Sequence, residues 1–442
     1  MPEKTLQVIT LGCSKNTVDT EHLLARVADK YTILPEDHSG KVDCLLINTC
    51  GFIGDAKEQS VNTILAAAAR RKSGEVGRLM VCGCLSQRYM DQLPGLIPEV
   101  DDWFGARDFL PIVKALGGDP VPDVDAGRLR TGRHHAYAYV KISEGCDRRC
   151  SYCAIPFIRG AHRSVPMERI VAEATALARD GVRELILIAQ DTTYYGLDLY
   201  HRRALGELLA RLSEIEGIVW IRIHYSYPDG FPEDVIDQMA ANPKVCRYLD
   251  IPLQHVSDKV LSNMHRHVDG AWTRALIAKM REKVPGIVLR TTFIVGHPGE
   301  GRKEFEELME FVREAKFERM GAFKYSEEEG TYAAENFRDS VTPATKKSRY
   351  DRLMTLQSGI SFAYNQSRVG SVVKVLVDDV NGDSLVCRSE YESPEVDGEI
   401  IVGYDPAMGA EAPAMVGRFI EVKITSADEY DLTAEFVADL DR

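Results

Sequence analysis

Between about residues 135 and 340 the chain repeats one pattern six times: a short apolar run, then a helical stretch. The strand-like runs are Ala138–Ser143, Glu184–Gln190, Trp220–Tyr227, Tyr248–Gln254, Val288–Gly296 and Gly321–Ser326. Helical periodicity fills the gaps, as in Met167–Arg179, Ala204–Ile215 and Phe305–Ala315. Strands joined through helices pair in parallel. Six such units predict an open, partial barrel in place of the closed eight. Active sites on sheets of this kind lie at the carboxyl ends of the strands.

Directly after the first of these strands comes Cys146-Asp147-Arg148-Arg149-Cys150-Ser151-Tyr152-Cys153. Three thiolates in eight residues can reach three irons of a [4Fe–4S] cluster, for which Cys is the usual protein ligand. The fourth iron would stay open to an amine and carboxylate from a substrate or cofactor. A structural zinc site with His162 as fourth ligand is the alternative reading of the same triplet. The C-x3-C-x2-C spacing, with an aromatic before the last Cys, resembles the signature of radical S-adenosylmethionine (SAM) enzymes.

Residues 1–117 repeat the strand–helix alternation on a smaller scale. Leu6–Leu11, Cys44–Thr49 and Arg78–Cys82 read as buried strands, with helices over Thr17–Ala28 and Ala56–Arg71. A parallel sheet with flanking helices follows. Each strand runs into a cysteine beside a glycine: Gly12-Cys13, Cys50-Gly51 and Gly83-Cys84. Parallel strands bring their carboxyl ends to one edge, so the three cysteines should meet there. The adjacent glycines should let backbone approach a bulky inorganic group. Cys44, Cys82, Cys246 and Cys387 lie within or at the start of strands and read as core.

The Gly- and Pro-rich stretch 118–134 reads as a linker, residues 135–366 as the second domain and 367–442 as a third. After a helix around Lys346–Tyr364, the runs Val372–Val377, Leu385–Cys387, Ile400–Val402, Phe419–Thr425 and Leu432–Phe436 predict a five-stranded barrel of the oligonucleotide-binding type. The formal charge of −13 is concentrated here. Residues 371–442 carry 17 Asp+Glu against 5 Lys+Arg, which leaves 50 against 49 in the rest of the chain. Such a barrel would repel a polyanion and suits a basic protein partner. The first residues run straight into a strand pattern, with no signal-peptide character and no apolar stretch of membrane-spanning length. With ten cysteines and no secretion signal, reduced thiols and a cytoplasmic location are expected.

Taken in order, the strand-end cysteines, the Cys146 triplet and the C-terminal barrel resemble a radical SAM methylthiotransferase over the whole chain. The resemblance implies an N-terminal methylthiotransferase domain, a radical SAM domain and a TRAM domain. It implies two [4Fe–4S] clusters, on Cys13/Cys50/Cys84 and on Cys146/Cys150/Cys153, with SAM as radical source and methyl donor. Leu11-Gly12-Cys13-Ser14-Lys15-Asn16, Ile155-Pro156-Phe157-Ile158-Arg159-Gly160 and Phe323-Lys324-Tyr325-Ser326-Glu327-Glu328-Glu329-Gly330-Thr331 are similar to the branch that modifies an aspartate of ribosomal protein S12. The sister branch modifies tRNA adenosine. SAM contacts are implied for Tyr152, Gln190, Asp191, Gln254, Ile294, Gly296 and Tyr325, and a flavodoxin or ferredoxin would supply electrons. Arg148, Arg149, Arg159 and Arg163 read either as ligands for the target carboxylate or as a solvated basic face.

Overall fold

The computed structural model describes residues 3–120, 127–130, 136–404 and 412–441. Much of the expected linker, at 121–126 and 131–134, lies outside the described residues. Two compact units emerge: Met1–His134 with Glu144–Arg148 and Cys153–Arg163, and His135–Ser143 with Arg149–Tyr152 and Ser164–Arg442.

The first unit holds five parallel strands, β1 (Lys4–Thr10), β2 (Tyr31–Leu34), β3 (Val42–Thr49), β4 (Val76–Gly83) and β5 (Asp102–Trp103), in the order β2-β1-β3-β4-β5. Both faces are covered, so the central strands are apolar on both sides. Leu45, Ile47, Leu79 and Val81 pack with Ile64, Ala67 and Ala68 of the helix Gly54–Lys72. The alternate residues Cys44, Leu46, Met80 and Cys82 pack with Leu23 and Leu24 of the helix Ser14–Ala25. Cys44 and Cys82 are therefore core residues, as their positions in the sequence imply. The strands β2 and β5 were not expected. They are short edge strands, four and two residues long, and carry too little apolar periodicity to stand out.

In the second unit, β6 (Tyr137–Lys141), β7 (Glu184–Ile188), β8 (Trp220–Ile223), β9 (Val245–Asp250), β10 (Val288–Val295) and β11 (Arg319–Lys324) pair in parallel and in chain order. All six strands end short of their expected limits, two of them by four residues. The strand β8 stops at Ile223, not Tyr227, and Tyr225 takes φ +58. The strand β9 stops at Asp250, not Gln254, which takes φ +71. Past these ends the backbone turns left-handed, and Gln254 meets β10 only as an isolated bridge to Phe293, so residues that look like strand become loop at the carboxyl edge.

The helix Pro343–Ser367, capped by the Thr342 hydroxyl accepting from the Thr345 N–H, leads into five strands. These are β12 (Val372–Asn381), β13 (Ser384–Arg388), β14 (Ile400–Gly403), β15 (Phe419–Ala427) and β16 (Leu432–Asp439). They close into a barrel in the order β12-β13-β14-β16-β15 around Val375, Leu385, Ile400, Val402, Ile420 and Val422.

Strand residues of β6–β11 facing away from the outer helices are largely polar, and the segment after β13 satisfies them. Glu392 accepts from Arg319 at 3.0 Å and also pairs with Arg368. Asp397 accepts from the Tyr248 hydroxyl at 2.6 Å, and Glu395 from Tyr137 and Tyr139 at 3.0 and 3.1 Å. Glu184 bridges Arg222 and Arg388 at 2.7 and 2.8 Å. Buried charges survive only when paired in this way. Arg368 and Arg319 hold the Glu392 carboxyl down at about 2 against the opposing effect of burial. Replacing Glu392 with Ala strands two buried guanidinium groups. The full-length variant is expected to lose about 3–5 kcal/mol in urea denaturation. A loss under about 1 kcal/mol, the value of an exposed pair, would show that the network contributes little.

Candidate functional site

In the first unit the strand order reverses between β1 and β3, since β2 lies on the far side of β1. Ligands on open parallel sheets bind outside the carboxyl ends at such a switch point. Cys13 follows β1 and precedes the helix Ser14–Ala25, Cys50 follows β3, and Cys84 is the first residue of the helix Cys84–Arg88 after β4. The three loops press on one another. At Gly12, with φ +99, an added Cβ would lie 2.6 Å from the Cys50 Cβ and 2.8 Å from its sulfur. At Gly51 an added Cβ would lie 2.7 Å from the Leu85 backbone and 2.9 Å from the carbonyl carbon of Cys84. These glycines thus seat the cysteine loops against each other, a different task from the approach to an inorganic group that the sequence suggests.

Cys13 and Cys50 are partly exposed and Cys84 is buried. Burial pushes the Cys84 thiol up to about 11, opposed by the Arg159 guanidinium and reinforced by Cys13 and Cys50. The Cys50 thiol is likewise raised by burial, then lowered in part by the Phe52 N–H. A ligand that binds thiolates must overcome this cost, and Arg159 offsets some of it. Among the described residues no three His, Cys, Asp or Glu side chains surround a point suited to one metal ion. A four-iron cluster asks for something different, one thiolate on each of three irons.

Arg159 corrects an expectation. It is neither part of a solvated basic face nor open to a substrate carboxylate. It is 3% exposed and pairs with Asp19 at 2.8 Å and Glu144 at 3.3 Å, while also donating to Asn16. Its helix, Ile155–Arg159, packs Ile158 and Ala154 against Cys84. Arg149 and Arg163 are exposed, whereas Arg148 is buried. Cys146 donates its backbone N–H to the Gly160 carbonyl at 3.1 Å, and buried His162 donates its own to Asp147 at 3.2 Å.

In the second unit the carboxyl ends of β7–β11 carry the residues expected to meet a cofactor. Gln254 Oε1, His297 Nε2 and Tyr325 Oη are buried and have no hydrogen-bond partner. Such atoms are rare in a finished interior, and a polar ligand would satisfy them. The Tyr152 ring stands edge-on to His297 at 6.3 Å, and His297 to Tyr325 at 4.9 Å. Asp191 caps the turn Thr192–Tyr194 by accepting from the Thr193 N–H and hydroxyl, and Gln190 precedes it. Ile294 donates its N–H to the Gln254 carbonyl at 2.9 Å. Gly296 donates to Glu300 at 2.7 Å. Sequence reasoning missed His255, Glu300, Tyr227 and Arg266. His255 follows the predicted strand Tyr248–Gln254, Glu300 lies shortly after Val288–Gly296 and Tyr227 closes Trp220–Tyr227, so strand-end position could have found them, whereas nothing in the sequence marks Arg266, which only folding makes a neighbour of Cys150.

Comparison with known proteins places these features in a family. Residues 140–312 match the radical SAM superfamily, 369–437 the TRAM domain and 5–105 the uncharacterized protein family UPF0004. The ribosomal protein uS12 methylthiotransferase RimO of Bacteroides fragilis is 47% identical over 438 residues, covering 99% of this chain and all of the relative. This chain belongs to the uS12 methylthiotransferase family. The protein of the same name from Flavobacterium johnsoniae is 46% identical over 98% of both chains. Among solved structures, the radical SAM methyltransferase TsrM of Kitasatospora setae aligns with a TM-score of 0.57 at 14% identity, over 76% of this chain and 77% of that one, a likeness of fold alone.

As a member of the uS12 methylthiotransferase family the chain is a radical SAM enzyme, and the family uses SAM and [4Fe–4S] clusters. The resemblance drawn from the two triplets and the terminal barrel is met, and the reading of the Cys146 triplet as a structural zinc site is not favoured. No helix among the described residues is long and apolar enough to cross a membrane.

Two variants test the geometry. Gly12→Ala is expected to cost about 1–3 kcal/mol in backbone strain alone and to lower the iron retained after reconstitution, measured per chain. Retention of wild-type iron would mean that the Cys13 and Cys50 loops need no such approach. Burial raises the Glu300 carboxyl from 4.5 to about 7, despite Gly296 and Arg349 favouring its charged form. The native state therefore holds this proton more tightly than the unfolded chain. Its stabilisation is complete below about pH 4.5 and is lost as pH rises through about 7. Glu300→Gln has no proton to lose, so its melting temperature should gain on wild type between pH 5 and pH 8. A constant difference would return Glu300 to the ordinary carboxylate range.

Proposed function

We propose that this enzyme places a methylthio group on the β-carbon of an aspartate of ribosomal protein S12, in the cytoplasm, drawing electrons from a flavodoxin or ferredoxin. Cys13, Cys50 and Cys84 hold one [4Fe–4S] cluster, and Cys146, Cys150 and Cys153 hold the other. The observation that carries this reading is near-half identity over the full length to uS12 methylthiotransferases, with both cysteine triplets in place.

An unactivated C–H bond has no useful acidity, so side-chain bases cannot open it. The bound cofactors supply hydrogen-atom abstraction and the methyl group. The chain's own residues bind and orient. Gln254 and Tyr325 offer buried polar atoms to SAM, Tyr152 an aromatic edge, and Gln190, Ile294 and Gly296 the surrounding strand ends. Asp191 acts through the turn it caps. Glu300 ties the Gly296 turn to Arg349 of the helix Pro343–Ser367, which fixes that wall.

The choice of protein over tRNA is supported by charge, in a refined form. Acidic residues of the C-terminal region are taken up within the second unit, Glu392 by Arg319, Asp397 by Arg290 and Asp378 by Arg388. Asp383, Asp428, Glu429, Asp431 and Glu435 stay exposed on the barrel. A basic partner suits that surface and a polyanion does not.

The test is anaerobic turnover of full-length enzyme with SAM and reductant, offered S12 or tRNA, with mass analysis of both. S12 should gain the methylthio group and tRNA should not; modified tRNA with unmodified S12 would favour the sister branch. Iron near eight per chain is expected from two four-iron clusters. Replacing Cys13, Cys50 and Cys84 with Ala should halve the iron and spare SAM cleavage. Replacing Cys146, Cys150 and Cys153 should halve the iron and abolish cleavage. Full iron in either triple variant would refute that ligand assignment.

A further inference from the structure

Arg266 follows the helix Asp258–Asn263, where its N–H donates to the Leu261 carbonyl at 2.9 Å. The same turn accepts the Ser151 N–H on the Met264 carbonyl at 3.0 Å. This backbone bond lies one residue from Cys150 and fixes the spacing between the turn and the cysteine. The Arg266 side chain is 7% exposed. Its Nη2 donates to the Pro252 carbonyl at 2.6 Å, and its guanidinium carbon lies 4.0 Å over the Tyr227 ring. Its Nη1 lies 3.7 Å from the Cys150 sulfur, and its Nε, also buried, has no hydrogen-bond partner. The Tyr227 hydroxyl is 3.9 Å from the same sulfur.

Five other buried arginines behave differently. Arg159, Arg222, Arg319, Arg368 and Arg388 each have a carboxylate within ion-pair distance. Among the described residues no such ion pair is formed by Arg266. Burying a cation without an anion is costly, and the sulfur of Cys150 is the group of acidic character that its N–H reaches. A [4Fe–4S] cluster held by three thiolates would supply the missing negative charge, formally −1 when oxidised and −2 after uptake of one electron.

We infer that Arg266 is a positioning residue that sets the reduction potential of the cluster on Cys146, Cys150 and Cys153. Its positive charge and its N–H on the Cys150 sulfur favour the state with the additional electron, and so ease reduction by a low-potential one-electron donor. Hydrogen bonds to cluster sulfurs and local net charge are the protein's means of shifting such potentials. This rests on the assignment of Cys150 as a cluster ligand.

The experiment is a potentiometric titration of the full-length enzyme, reconstituted anaerobically with both clusters. It follows the electron paramagnetic resonance signal that changes when SAM is added to a parallel sample. Arg266→Gln and Arg266→Met should lower the equilibrium constant for one-electron reduction about tenfold or more, a shift of about 59 mV to more negative potential. Arg266→Lys keeps the charge and should restore most of the wild-type potential. A wild-type potential in Gln and Met alike would overturn the inference and leave Arg266 as packing against Tyr227. Loss of the SAM-responsive cluster in all three, Lys included, would overturn it too, in favour of a purely structural role. Cys150→Ala separates the underlying assignment, because a SAM-responsive signal that survives there refutes the ligand reading itself.

Discussion

Parallel pairing of β1, β3 and β4 is the constraint on which the first candidate site depends. A parallel ladder sends every carboxyl end to the same edge, so Cys13, Cys50 and Cys84, far apart in sequence, leave the sheet together. The register runs Thr10 against Asn48 and Asn48 against Cys82, so the three strands finish nearly level. An antiparallel neighbour would carry one cysteine to the opposite edge. The edge strand β2 adds to this by pairing on the other side of β1, which opens the crevice between β1 and β3.

The second unit solves a different problem. Its sheet β6–β11 buries one face under helices and leaves on the other Tyr139, Glu184, Arg222, Tyr248, Arg290 and Arg319. Charged groups on a buried face are tolerated only with partners, and these come from Arg388, Glu392, Glu395 and Asp397 around the loop after β13. The C-terminal barrel is joined to the sheet by paired charges as well as by apolar contacts such as Trp220 on Phe419. Part of the region's acidity is therefore structural, and only the exposed remainder is available to a partner.

At the carboxyl edge of that sheet the pattern reverses. Where the loop after β13 satisfies the polar groups it meets, Gln254, His297 and Tyr325 keep buried polar atoms without partners. His255 and His297 are held neutral, burial lowering them to about 3 and about 4. An uncharged, unsatisfied, half-aromatic wall is an environment that a zwitterionic cofactor with a purine ring can complete.

The order of the central strands and helices, the two cysteine triplets, the closed C-terminal barrel and the core role of Cys44, Cys82, Cys246 and Cys387 are legible in the sequence. Those features are written in local periodicity and spacing, which survive without a fold. The sequence also carried the family resemblance, since motifs such as Leu11–Asn16 are contiguous. Tertiary structure alone decided the rest. The edge strand Tyr31–Leu34 is too short and too half-buried to announce itself, yet its pairing creates the switch point. Arg159 reads as one cation among several until folding buries it against Asp19 and Glu144. Arg266 lies 116 residues from Cys150, and no periodicity links them. The turns at Tyr225 and Gln254 look like strand because an apolar run carries no record of a left-handed φ. Burial, pairing and backbone handedness depend on what the rest of the chain brings near, and that information is absent from any local window.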